Sequence, residues 1–204
     1  MYLKVPHGTE AGTKLVKDTF PGPGGTFSGI YPLGNSVITS LKDVAHGIEL
    51  WTSQGTPETT ALITDLNPGS ADGTGLGEQS FYTAMGQIVG GSTGALAQCV
   101  IGTQNKIVFT DGTAANTRII TDAGDASRTQ DSNVGFVGAI GSKALFTADD
   151  GVIGSELYVS DGTVAGTALL KNINTSGHSN PQTFQFFEDG KKAVFYAFTP
   201  ETGV

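Results

Sequence analysis

Residues 156–173 read Glu156-Leu-Tyr-Val-Ser-Asp-Gly-Thr-Val-Ala-Gly-Thr-Ala-Leu-Leu-Lys-Asn-Ile173, and the chain repeats this stretch. Residues 49–66 read Glu-Leu-Trp-Thr-Ser-Gln-Gly-Thr-Pro-Glu-Thr-Thr-Ala-Leu-Ile-Thr-Asp-Leu. Residues 106–123 read Lys-Ile-Val-Phe-Thr-Asp-Gly-Thr-Ala-Ala-Asn-Thr-Arg-Ile-Ile-Thr-Asp-Ala, and residues 2–19 carry a fourth copy, Tyr-Leu-Lys-Val-Pro-His-Gly-Thr-Glu-Ala-Gly-Thr-Lys-Leu-Val-Lys-Asp-Thr. The Gly-Thr pairs begin at Gly8, Gly55, Gly112 and Gly162, at separations of 47, 57 and 50 residues. Self-similarity at a period near 50 marks a repeat architecture.

Inside one copy, Leu157-Tyr-Val-Ser160 is a short apolar, partly β-branched run suited to a strand. Asp161-Gly162 supplies a turn, because glycine takes φ > 0 without steric cost and Asp bonds its own backbone. Ala168-Leu-Leu-Lys-Asn-Ile173 then returns as the partner strand. Two threonines recur in every copy (Thr9/Thr13, Thr56/Thr60, Thr113/Thr117, Thr163/Thr167), and their hydroxyls are expected to bond loop backbone.

Between the copies lie Phe-rich hairpins. Phe27–Leu33 and Ser36–Leu41 flank Gly34-Asn35; Ser80–Met85 is followed by Ala95–Ile101; Val134–Ile140 and Lys143–Ala148 flank Gly141-Ser142; Thr183–Phe187 and Ala193–Phe198 flank a Glu188-Asp-Gly190 turn. Alternation such as Phe184/Phe186 and Val194/Tyr196/Phe198 has the period of two that strands with unlike faces require. Four short antiparallel strands per repeat is the footprint of a β-propeller blade. The fold expected is therefore all-β: a four-bladed propeller of four-stranded antiparallel blades in one domain over 1–204. Its repeat units run at about 2–48, 49–105, 106–155 and 156–204.

Grouping each Phe-rich hairpin with the copy that follows it gives continuous blades at about 27–66, 80–123 and 134–173. The fourth blade is expected to combine 183–198 with 2–19, pairing the N- and C-terminal strands and closing the ring. The alternative is half of a larger propeller, or a self-assembling surface repeat, so monomer and dimer both stand open.

Composition narrows the function classes. The chain has 204 residues, 30 Gly and only 15% charged residues, which suits a turn-rich all-β protein. The net charge of −8 argues against nucleic acid, because no basic patch is available to neutralise phosphates. No apolar run is long enough for a membrane span, so no membrane insertion is expected. No signal peptide is present; a leader removed from the chain, or a longer parent protein, accounts for that. The single cysteine, Cys99, excludes an intramolecular disulfide and reads as a buried strand position.

The copies resemble the bacterial repeat written ELWxxDGTxxGTxLVKDIxPG. The resemblance is carried by Glu49-Leu50-Trp51, Asp111-Gly112-Thr113, Asp161 to Thr167 and Leu15-Val16-Lys17-Asp18, and it covers nearly the whole chain. His7 and Gln54 replace Asp, Thr59 and Asn116 replace Gly, and the third copy lacks Glu-Leu-Trp. The resemblance implies a propeller in a secreted or cell-surface bacterial protein, and it brings no catalytic residues.

Candidate chemistry is sparse. Asp18, Asp65, Asp122 and Asn172 occupy one repeat position and could face a common hard cation such as calcium, or each cap its own turn. Asp149 to Glu156 partly resembles a calcium loop but lacks its full spacing, and reads as the connection into Glu-Leu-Tyr. No other cofactor is expected. His7, His46 and His178 lie at turns without metal-like spacing, and Gly90-Gly-Ser-Thr-Gly94, which spells Gly-x-Ser-x-Gly, reads as a hairpin loop with no helix after it. Trp51 and the strand tyrosines are expected to pack between blades rather than stack on sugars. The function expected is a non-enzymatic extracellular binding or structural module, with carbohydrate or another surface protein as partner. The alternative is a polysaccharide-acting hydrolase or lyase with acidic residues at the channel mouth.

Overall fold

A computed structural model of the chain describes residues 2–5, 9–21, 27–69, 88–89, 93–101, 104–121 and 132–200. These residues form sixteen strands and one short 3-10 turn, Ala114–Asn116, with no α-helix. The strands are β1 (Tyr2–Val5), β2 (Lys14–Asp18), β3 (Phe27–Leu33), β4 (Ser36–Asp43), β5 (Gly47–Ser53) and β6 (Ala61–Thr64). Next come β7 (Ile88–Val89), β8 (Thr93–Ile101), β9 (Gln104–Thr110) and β10 (Arg118–Ile119). The last are β11 (Ser132–Ile140), β12 (Lys143–Asp149), β13 (Ser155–Ser160), β14 (Ala168–Lys171), β15 (Gln182–Phe187) and β16 (Lys192–Tyr196).

The sheets follow the repeat. Three are four-stranded, in the spatial orders β3-β4-β5-β6, β10-β9-β8-β7 and β11-β12-β13-β14. Two of them, β3-β4-β5-β6 and β11-β12-β13-β14, place the expected hairpin beside the copy that follows it; in the other the partner of β8 is Ile88–Val89, where no strand was expected. Equivalent strands keep equivalent register: Thr39 lies opposite Trp51 and Phe146 opposite Tyr158 in antiparallel pairs. β1 pairs with β2, and β15 with β16, as separate two-stranded sheets. The expected strand at Ser80–Met85 lies outside the described residues.

The chain divides into two compact units, one of residues 1–81, 99–103 and 112–117, the other of 82–98, 104–111 and 118–204. In the second unit the sheets pack face on face. Leu96, Ile107 and Phe109 meet Ala144, Phe146, Ala148 and Tyr158. On the opposite face Leu145, Leu157 and Val159 meet Phe184 and Phe195. Period-two alternation along β12 thus supplies two cores from one strand, which is why β13 is buried at every position. In the first unit β2 lies against the β3–β6 sheet. The Lys17 ammonium donates to the Thr60 carbonyl at 2.8 Å and sits 5.5 Å from the Trp51 ring centroid.

The Gly-Thr loops are built as the sequence indicates. The second threonine donates to the carbonyl of the first in all four copies: Thr13 to Thr9 at 3.0 Å, Thr60 to Thr56 at 2.7 Å, Thr117 to Thr113 at 2.7 Å and Thr167 to Thr163 at 2.6 Å. A serine not singled out by the repeat pattern completes the loop. Ser53 Oγ lies 2.7 Å from Thr60 Oγ1 and accepts from the Gly55 amide; Ser160 Oγ lies 2.7 Å from Thr167 Oγ1 and accepts from the Gly162 amide. Ser160→Ala removes both contacts of a fully buried hydroxyl. Its expected cost is about 1–2 kcal/mol in a urea unfolding curve, against nearly none for Thr163→Ser.

Candidate functional site

The repeat position proposed for a cation is set by strand ends. Asp18 ends β2, Asp65 follows β6 and Asn172 follows β14. Each carries a buried Oδ1 with no hydrogen-bond partner. Asp122 lies outside the described residues. Asp18 and Asp65 belong to one compact unit and Asn172 to the other. Among the described residues no three His, Cys, Asp or Glu side chains come together as a metal cluster.

The turn beyond these positions is held by another side chain, the glutamate of the repeat signature. Glu49 is fully buried in β5 and accepts from the amides of Leu66 at 3.1 Å and Asn67 at 3.4 Å. Glu156 is fully buried in β13 and accepts from Ile173 at 3.1 Å, Asn174 at 3.2 Å and the Ser179 hydroxyl at 2.6 Å. A carboxylate with two oxygens and several lone pairs can satisfy two consecutive amides and still take a hydroxyl. The two glutamates are a repeated staple between a strand and the turn seventeen and eighteen residues downstream. Sequence reading quoted these residues without a role; their recurrence at 49 and 156 ahead of Asp-Leu-Asn and Asn-Ile-Asn was the available signal.

The 149–156 loop uses its carboxylates on its own backbone. Asp149 accepts from the Gly151 amide at 2.9 Å, and Asp150 accepts from Val152 at 2.9 Å, Ile153 at 3.0 Å and the Tyr158 hydroxyl at 3.1 Å. His178 Nδ1 receives the Ser155 amide at 3.0 Å, tying the loop to the segment beyond β14. His7 lies outside the described residues. Trp51 and Tyr158 are buried, the latter stacked on Phe146 at 5.6 Å between centroids, so neither offers a sugar platform. Cys99 is buried in β8, and desolvation pushes its thiol pKa far up.

The Asp43–His46 pair is partly buried. The His46 ring nitrogen lies 2.8 Å from Asp43 Oδ2, and this hydrogen bond raises the imidazole pKa above its ordinary 6.5. At Asp43 burial acts upward, but the bonds from the His46 ring and from the His46 and Ala45 amides carry the carboxyl below its ordinary 3.8. The pair's contribution is present between these limits. It is lost upward as pH rises through the raised His46 value, and downward as pH falls through the depressed Asp43 value. An NMR titration is expected to place the His46 midpoint lower in Asp43→Asn than in the parent chain. An unchanged midpoint would remove Asp43 as the cause.

No family model matches the chain, and no curated protein matches it. Among solved structures, a crystal structure of a puromycin hydrolase mutant complexed with PGG matches over 100% of this chain and 31% of that one, with a TM-score of 0.50 and 12% sequence identity. The likeness is one of fold. This chain spans less than a third of that protein's length.

Proposed function

We propose that the chain is a non-enzymatic binding or structural module of the ELWxxDGT-repeat type, made of β-propeller blades and working outside the cell or at its surface. In this reading β3–β6, β7–β10 and β11–β14 are three four-stranded blades. β15–β16 is half of a fourth, completed by a hairpin of the β1–β2 kind to give the four-bladed ring. One observation carries the functional reading: the recurring glutamates, serines and second threonines are engaged in holding the scaffold. Glu49 and Glu156 hold turns, Ser53 and Ser160 hold loops, and Thr13, Thr60, Thr117 and Thr167 bond loop backbone. What differs between repeats is the loop sequence, where ligand selectivity on a repeat scaffold resides. The likeness to a puromycin hydrolase concerns the fold and lends this chain no hydrolytic group.

Carbohydrate or another surface protein is the partner class. The test is a glycan array run with and without calcium, since the lone oxygens of Asp18 and Asp65 suit a hard cation in kind, alongside a glycoside-hydrolysis assay. Saturable binding without turnover is the expected result. Turnover abolished by a single carboxylate substitution would overturn the reading in favour of a polysaccharide-acting enzyme.

A further inference from the structure

An aspartate followed by glycine can rewrite its own backbone, because the glycine has no Cβ to keep its amide from turning onto the aspartate side chain. Four such pairs lie in the described residues: Asp111-Gly112, Asp150-Gly151, Asp161-Gly162 and Asp189-Gly190. Asp72-Gly73 lies outside them. In three of the four the reacting groups are held. The Asp150 carboxylate accepts from the Val152 and Ile153 amides and the Tyr158 hydroxyl, while the Gly151 amide donates to Asp149. The Asp161 carboxylate accepts from the Thr163 amide at 2.9 Å and its hydroxyl at 2.7 Å, while the Gly162 amide donates to Ser160 Oγ at 2.9 Å. Asp111 and Gly112 form the same turn in the third copy, and each has a partner.

Asp189-Gly190 differs. It sits at the tip of the β15–β16 hairpin, where Asp189 is exposed. Among the described residues neither the Asp189 carboxylate nor the Gly190 amide has a hydrogen-bond partner. Glu188 and Asp189 both hold positive φ, 52° and 53°, a region that strains residues with a Cβ. The tip therefore gains less by staying closed than a turn built on glycine. Its link to the rest of the unit is the Gly190 carbonyl, which accepts from the Gly141 amide at 3.1 Å.

We propose that Asp189 is a site of spontaneous isoaspartate formation, and that the change unfastens the β15–β16 hairpin from the Gly141-Ser142 turn. The Gly190 main-chain nitrogen bonds to the Asp189 side-chain carbonyl carbon. The nitrogen gives up its proton and the side chain its hydroxyl, which leave together as water. The cyclic imide then takes up one water. Cleavage between the nitrogen and the side-chain carbon restores aspartate. Cleavage between the nitrogen and the main-chain carbonyl carbon leaves the chain running through the side chain, as isoaspartate. No oxidant, reductant or cofactor enters. The product has an extra methylene in its main chain, directly before the carbonyl that holds Gly141.

The folded chain is incubated near neutral pH in heavy-oxygen water, and peptides spanning each of the four pairs are mapped for isoaspartate and for label. Product at Asp189 is expected to build up about tenfold faster than at Asp111, Asp150 or Asp161, since held groups react only through local opening. In concentrated urea the four rates should converge. Product at a held pair as fast as at Asp189 in the folded chain, or none at Asp189, overturns the proposal. The Gly141 amide of the aged chain is expected to exchange about tenfold faster than in the fresh chain. Unchanged exchange there overturns the unfastening. Asp189→Asn closes the same ring with loss of ammonia and should give product sooner, so slow ageing does not hide the outcome; its failure to do so in a folded chain also counts against the site.

Discussion

Glu156→Ala is expected to lower the unfolding free energy by about 3–5 kcal/mol, several times the effect of an ordinary surface change. The carboxylate is fully buried and accepts three hydrogen bonds, from the Ile173 and Asn174 amides and the Ser179 hydroxyl. Bonds to a charged acceptor contribute about 1.5–3 kcal/mol each and do not add fully, and removal strands buried donors besides. Ser179→Ala gives up the hydroxyl's contacts to Glu156 and to the Ser155 carbonyl and should cost about 1–2 kcal/mol, and Leu170→Ala on the exposed face of β14 almost nothing. Glu156→Gln should fall between, because its amide nitrogen faces donors where the carboxylate offered acceptors. The direct readout is hydrogen exchange: the Ile173 and Asn174 amides should lose protection in Glu156→Ala before the rest of β13 and β14 does. Unchanged exchange at those two amides would show that the turn is held some other way.

The second large effect separates two glycines that look alike in sequence. Gly112 and Gly162 both follow Asp, both precede Thr, and both have positive φ, +90° and +84°. A side chain in that region costs on the order of 1–2 kcal/mol. The surroundings differ. A Cβ at Gly112 would meet Leu33 and Thr52 at 3.5 and 3.6 Å, ordinary contacts. At Gly162 it would lie 2.5 Å from the Phe109 ring. That ring is pinned by the Arg118 guanidinium stacked 4.4 Å away, and Arg118 in turn donates to the Gly162 carbonyl at 3.0 and 2.6 Å. Displacing the ring adds about 1–3 kcal/mol of overpacking. Gly112→Ala should therefore cost about 1–2 kcal/mol and Gly162→Ala about 2–5 kcal/mol in urea unfolding. Equal losses would mean that Phe109 yields without cost. Gly91, a loop glycine that would serve as a reference, lies outside the described residues.

Most of the strand order was legible because local signals agree. Period-two alternation, Gly-containing turns and the recurring Gly-Thr loops point to the same hairpins, and the sheets assemble them in that order. The glutamate staple was not legible. Its partners are backbone amides seventeen and eighteen residues away, and an amide has no letter in the sequence. The third copy shows the same limit from the other side. Its strand near 118–123 was expected to match the others, but β10 has two residues where β6 and β14 have four. Lys106 stands there in place of the glutamate and offers no acceptor. The candidate cation position was visible as a column of Asp, Asp, Asp and Asn, but the lone buried oxygen that Asp18, Asp65 and Asn172 share is a property of packing.

The staple has a consequence for how such a chain is inherited. Glu156 is satisfied by groups from within its own stretch of sequence, the farthest being Ser179, and Glu49 takes two amides from its own stretch in the same way. A segment copied or lost during replication therefore carries both the buried acid and its donors with it, and no orphaned charge is left behind in a neighbour. The apolar faces must find a match, and those tolerate substitution of similar volume. So must the few polar links between copies, Lys17 to Thr60 and Arg118 to Gly162. A gene built this way can change its number of units by unequal crossing-over without separating a buried acid of the Glu156 kind from its donors.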